Sequence, residues 1–189
     1  MSTVAAPTDL LTVDEFLDWI ERPENRSRLF ELLRGRVVEM ARPNEVHGFL
    51  AYNLGRILGN YTYVRGAGFV SGENGLLLHS EPDTAVGPDV MVYLEKRSYD
   101  ALSRQFSSTM PTLVAEVLSP TDRPSAVLRK VKSYLDRGVR VVAVLSPEEC
   151  TITLYRSNEF PQMFDETDTL TCPELPEFAC PVADVFRLP

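Results

Sequence analysis

Glu116 sits in Leu113-Val-Ala-Glu-Val-Leu118, where every neighbouring residue suits a strand interior. A lone carboxylate in such a setting is costly to bury without a partner. It therefore pairs with an arginine, points to solvent from a strand end, or binds a metal. Asp89 is the second piece: in Gly87-Pro-Asp-Val90 it follows a proline of fixed torsion and opens an apolar strand. Pro-Asp is also ordinary turn chemistry. Two carboxylates entering one site from neighbouring strands can hold Mg²⁺ or Mn²⁺, hard cations that take oxygen ligands and keep several waters. Lys130 and Lys132 could add an ammonium. Each lies about 100° from the centre of the apolar stripe on the helix expected over residues 124–137, on opposite flanks, so helix geometry does not choose between them. Both could equally be solvated, with their stems lying along the stripe.

The elements that must position these groups are legible in outline. Thr12-Val-Asp-Glu15 has the form of a capping box and starts a short helix carrying Phe16, Leu17 and Ile20. Leu29–Leu33 and Arg36–Met40 read as a hairpin around Arg34-Gly35. Asn44 caps a second helix, along which Phe49, Leu50, Asn53, Leu54, Ile57, Leu58 and Tyr61 recur at helical spacing. Strands are expected around residues 61–71, 75–79, 90–94 and 112–118. The helix after Ser119-Pro120 carries Val127, Leu128, Val131, Tyr134 and Leu135 on one stripe and ends at Gly138. A continuous apolar strand follows over 139–145, and strand, helix and strand in sequence predict a crossover joining parallel strands. Residues 151–155 and 162–171 read as an antiparallel edge before a short tail. The fold class is α/β with a mixed sheet.

Composition bounds the rest. The 189 residues are 44% hydrophobic and 24% charged, which suits one domain over 11–189 behind a flexible N-terminus, 1–10. No apolar run approaches the roughly 18 to 20 residues that span a bilayer, and the first residues lack a basic flank before an apolar core. A cytoplasmic protein without membrane contact is expected. Cys150, Cys172 and Cys180 form no C-x-x-C pair, and only His47 and His79 could supplement them. Three reduced thiols are therefore expected rather than a zinc site, and His79 reads as structural. The net charge of −8 looks unfavourable for binding a polyphosphate, but nine acidic against two basic residues lie in 148–189, leaving −1 for residues 1–147. That part holds two arginine- and lysine-rich clusters, one over residues 22–42 and one over 123–140, each either a phosphate track or a solvated face. The serine hydrolase motif G-x-S-x-G, the zincin motif H-E-x-x-H and a P-loop are all missing.

Pro88-Asp89 and Glu116, with a lysine nearby, resemble the PD-(D/E)xK nuclease superfamily. The resemblance narrows further. Thr12 to Phe16, Phe30-Glu-Leu-Leu-Arg-Gly35, His47, Val114-Ala-Glu-Val-Leu-Ser-Pro120, Lys130-x-x-x-Tyr134-x-x-x-Gly138-Val139 and the closing Val185-Phe186 are similar in order and spacing to the Uma-type restriction endonuclease family. The resemblance implies a restriction-endonuclease-like mixed central sheet flanked by helices, with N-terminal antiparallel hairpins. It also implies phosphodiester hydrolysis, in DNA, with Mg²⁺ or Mn²⁺ held by Asp89 and Glu116 and with Lys130 assisting the attacking water. Glu31 matches a family glutamate that could add a third carboxylate, or it pairs with Arg34 or Arg36 across the hairpin. His47 matches a family histidine that could reach a phosphate or a water, or it is simply exposed at a helix start. The chain departs from the generic motif in having Leu118 where E-x-K would put lysine, so the resemblance selects Lys130 on the following helix. It departs again in Val141 to Ser146, which lacks the family's aromatic residue and aspartate. Cutting both strands suggests a homodimer. Other readings are a non-catalytic nucleic-acid-binding or assembly module and a hydrolase of smaller phosphate esters. Glu116→Gln is expected to abolish divalent-metal-dependent cleavage while leaving the melting temperature nearly unchanged, as gel assays beside thermal melts would show.

Overall fold

The computed structural model describes residues 7–79 and 81–188; the first six residues of the expected flexible N-terminus, and the side chain of His79, lie outside this description. In chain order the elements are α1 (Val13–Ile20), β1 (Leu29–Leu33), β2 (Arg36–Met40), α2 (Glu45–Arg65), β3 (Phe69–Ser71), β4 (Leu76–His79), β5 (Thr84–Val86) and β6 (Val90–Tyr93). After a 3₁₀ turn at Tyr99–Ala101 come β7 (Leu113–Val117), α3 (Pro124–Asp136), β8 (Val141–Ser146), β9 (Thr151–Tyr155), β10 (Gln162–Phe164), β11 (Thr169–Thr171), β12 (Ala179–Pro181) and α4 (Val182–Phe186). The chain forms two compact units. Among the described residues, one comprises 7–42, 74–87 and 103–109, and the other 43–73, 88–102 and 110–188. Among the described residues, no helix is long and apolar enough to cross a membrane.

The first unit is built on an antiparallel sheet ordered β2-β1-β5-β4. Its hairpin turns at Arg34 and Gly35, whose φ values of 51° and 75° give the twist that a two-residue turn between right-twisted strands needs. α1 starts with both halves of the capping box in place, Thr12 accepting from the Glu15 amide and Glu15 from the Thr12 amide. Its Phe16 is fully buried with Leu32 and Ala85.

The second unit carries the larger sheet, β10-β9-β8-β7-β6-β3, in which β7 and β8 are parallel and every other pair is antiparallel. Side chains alternate across a strand, and that alternation divides this sheet between two helices. Val90, Val92, Leu113, Ala115, Val117, Val141, Ala143 and Leu145 join Leu50, Leu54 and Leu58 of α2 in one core. Val114 and Glu116 therefore face the opposite side, where α3 packs against β8. Burial from both faces explains why β8 reads as an unbroken apolar run.

Three expectations need correction. The segment 61–71 was expected to be strand from its start, yet α2 continues to Arg65 and only Phe69–Ser71 is extended. Thr62 is 2% exposed and its hydroxyl donates to the Gly59 carbonyl, so packing and helix propagation override the β-branched and aromatic preferences of Thr62 to Val64. Residues 162–171 do not make one edge: β10 closes the large sheet, whereas β11 turns away to pair with β12. The short tail is itself folded, since α4 buries Val182 and Val185.

Asn53 ties α2 to this end of the chain. Its Nδ2 donates to the carbonyls of Asp184 and Val185 at 2.8 and 2.9 Å, two last-turn oxygens of α4 that the helix itself cannot satisfy. Asn53→Leu keeps the branched outline of the side chain and strands both carbonyls, so it should cost about 1 to 3 kcal/mol in urea unfolding.

Candidate active site

The second unit brings four of the expected residues together. The register of β6 on β7 pairs Val90 with Ala115 and Met91 with Val114 in an antiparallel ladder. One step beyond, Asp89 stands opposite Glu116. The backbone records this directly, because the Val117 amide donates to Asp89 Oδ2 at 2.7 Å. Like charges directly opposite on neighbouring strands repel, and here each carboxylate meets a different basic group. His47 Nε2 lies 3.3 Å from Asp89 Oδ2, and Lys130 Nζ donates to Glu116 Oε2 at 3.1 Å. The Asp89 and Glu116 side chains keep 13% and 14% of their surface exposed, so both are reachable from solvent.

Local structure delivers each group. Gly72 at the end of β3 lies so close to Asp89 that a Cβ there would sit 2.3 Å from the Asp89 carbonyl oxygen. The neighbouring Glu73 amide donates to the Pro88 carbonyl at 2.8 Å, which pins the turn that presents Asp89. His47 occupies the third position of α2, its amide donating to the capping Asn44 Oδ1 at 2.9 Å. Lys130 lies on α3, while Lys132, on the other flank of the same helix, pairs with Asp136 on the surface.

The His47 imidazole is held above its ordinary pKa. The hydrogen bond to Asp89 is the main cause; burial opposes it, and the charges of Asp89, Glu116 and Glu73 reinforce it. A helix N-terminus disfavours an imidazolium, and the surrounding carboxylates outweigh that. His47 Nδ1 is buried with no hydrogen-bond partner among the described residues.

Glu31 belongs to the first unit. It is 6% exposed, and its Oε1 accepts from the Gly87 amide at 3.2 Å. Two groups of the second unit escape the sequence reading. Tyr134 donates its hydroxyl to Glu116 Oε1 at 2.5 Å; its spacing of one helical turn from Lys130 was the available signal. Glu73, whose charge acts on His47, lies in a loop at a φ of 56° and carries no sequence signal.

Among the described residues, no group of three or more His, Cys, Asp or Glu side chains is placed to hold a metal ion by itself. The donor chemistry present still fits a hard divalent cation. It offers two facing carboxylates, and Mg²⁺ is commonly bound by one or two carboxylates with waters and substrate phosphates completing the shell. Asp89 Oδ2 is taken by the Val117 amide and His47, and no described residue donates to Oδ1. All three cysteines are free, with Cys172 and Cys180 buried.

A mixed sheet with helices on both faces and an acidic pair opening from neighbouring strands defines a nuclease-like class of fold. A crystal structure described as a putative nuclease belonging to DUF820, from Anabaena variabilis ATCC 29413, superposes with a TM-score of 0.79 at 20% identity, over 93% of this chain and 97% of that one. The family model described as "Uma2: Putative restriction endonuclease" matches residues 13–183, and the chain belongs to that family. No curated protein matches the chain.

The raised His47 pKa fixes a sign. In metal-free protein the stabilisation from the His47 and Asp89 pair is complete below the unfolded imidazole value of about 6.5 and is lost as pH rises through the higher folded value. The stability difference between wild type and His47→Gln should therefore shrink from pH 6 to pH 9, and proton NMR should show an imidazole titrating above the ordinary range.

Proposed function

We propose that the chain is a divalent-metal-dependent endonuclease hydrolysing phosphodiester bonds in DNA. The observation that carries this reading is the facing pair, Asp89 opposite Glu116, with a lysine on the second carboxylate. A lone structural ion pair would need only one of these acids. Two acids meeting across a ladder make a concentrated negative charge that protein folding alone gives no reason to build. Family membership and the nuclease-like fold support the same class.

Asp89 and Glu116 would hold Mg²⁺ or Mn²⁺. Such a cation, when bound, neutralises charge on phosphate oxygens and acidifies a water. The protein's own groups do the rest. His47 and the Val117 amide fix the orientation of the Asp89 carboxylate through one of its oxygens. Lys130 is 23% exposed at its side chain and reaches the site from a flexible stem, so its ammonium can orient the attacking water and meet charge growing on the phosphate. Arg123, Arg129, Arg137 and Arg140 on and around α3 supply positive charge on the same element, and the acidity of the chain is concentrated after residue 147. A two-fold assembly would supply the second active site that cutting both strands requires.

The test is cleavage of single-stranded, duplex and branched DNA with Mg²⁺ or Mn²⁺, run on wild type and Lys130→Ala. Wild type should cut at least one substrate, and Lys130→Ala should lose about 100-fold in rate, the scale typical of one positioned proton-transfer or charge-stabilising group. Wild type inert on every substrate, with calorimetry finding no Mn²⁺ binding that Asp89→Asn removes, would leave a non-catalytic nucleic-acid-binding module in its place.

A further inference from the structure

Tyr134 has no exposed surface, and its ring lies in the apolar stripe of α3 where phenylalanine would fill nearly the same space. What the ring adds over phenylalanine is a hydroxyl, and burying one without a partner is unfavourable. Its hydroxyl donates to Glu116 Oε1 at 2.5 Å, while Lys130, one turn earlier on the same helix, donates to Oε2 at 3.1 Å. The two oxygens of one carboxylate are thus addressed by two donors of different character. Lys130 is a long, partly exposed chain that can swing to a phosphate oxygen. Tyr134 has a rigid ring, and its own carbonyl accepts from the amides of Arg137 and Val139, both at 3.1 Å, where the chain leaves α3 for β8.

We propose that Tyr134 is a positioning residue for the divalent cation: its hydroxyl fixes the plane of the Glu116 carboxylate so that Lys130 can leave without the carboxylate turning after it. The inference rests on the nuclease reading above and adds a division of labour within it. Tyr134 stays in place through turnover, and Lys130 moves. With the hydroxyl gone, the Glu116 carboxylate loses a contact that holds its plane against the pull of Lys130, and the cation loses a preoriented ligand.

The experiment compares Mn²⁺ binding by isothermal calorimetry in wild type, Tyr134→Phe and Asp89→Asn, with thermal melts alongside. Partners that orient a metal ligand are worth about 10- to 100-fold in affinity. Tyr134→Phe should therefore bind Mn²⁺ at least about tenfold more weakly while melting within a few degrees of wild type. Its cleavage rate should recover at high Mn²⁺. Unchanged Mn²⁺ affinity in Tyr134→Phe, beside wild-type binding that Asp89→Asn abolishes, overturns the role of Tyr134 and leaves the nuclease reading standing. No Asp89-dependent binding in wild type overturns both. Should Tyr134→Phe fail to fold, 3-fluorotyrosine placed at position 134 gives a second readout. Its ¹⁹F resonance should shift on adding Mg²⁺ and should not do so in a Glu116→Gln background; a resonance indifferent to Mg²⁺ overturns the proposal.

Discussion

Two carboxylates on adjacent strands, held where they repel, form the constraint around which the second unit is organised. Asp89 and Glu116 share one face because β6 and β7 run antiparallel in a register that places position 89 opposite 116. Shifting either strand by one residue would send one acid to the other face. The basic groups that offset the pair come from different directions: His47 from the start of α2, and Lys130 from the middle of α3. Neither helix can move far without exposing one acid to the other. The apolar packing of the sheet therefore has an electrostatic consequence, since Leu50, Leu54 and Leu58 seat the helix that carries His47, and Val131 and Tyr134 seat the helix that carries Lys130.

The same pair explains why the two ends of the Glu116 side chain are treated so differently. The stem leaves a strand whose neighbours Val114, Ala115 and Val117 are nearly or fully buried. The head keeps enough exposure to meet a ligand. A glutamate can do both because its methylenes span the distance between core and cleft, whereas an aspartate at 116 would leave its head near the strand backbone. At position 89 the shorter side chain suits a residue just outside its strand, where the Val117 amide is within reach.

Much of this was legible in the sequence because its signals are local. The capping box at Thr12, the hairpin at Arg34-Gly35 and the stripe of α3 each lie within a window of a dozen residues, and each forms where its pattern predicts. Glu116 stood out because a charged residue in an apolar run breaks a local rule. Legibility fails where the deciding contact is distant. β5 and β12 are three-residue strands that no local pattern announces, and β11, extended as expected, takes β12 as its partner. The last turn of α2 goes against local preference and is held by burial of Thr62. Tyr134 was hidden for another reason: a phenol at an apolar helical position reads as core, and only its hydroxyl, invisible to a hydrophobic pattern, reaches Glu116. Helix geometry left Lys130 and Lys132 equivalent and the family resemblance chose Lys130; in the structure Lys130 meets Glu116 while Lys132 pairs with Asp136.

The parallel pairing of β7 with β8 has a consequence for how the site comes into being. A parallel pair cannot be closed by a tight turn, and here the chain between Glu116 and its ladder partner Val144 includes all of α3. Such non-local pairing is slow to form compared with a hairpin. Lys130 and Tyr134 lie on that crossover, so the lysine and the tyrosine take their places on Glu116 when it closes and α3 docks. During synthesis from the N-terminus, Asp89, Glu116 and the helix carrying His47 are made before the helix that carries Lys130 and Tyr134. The crossover that completes the parallel pair is also the element that completes the constellation, so a chain with α3 undocked is a chain without the full site.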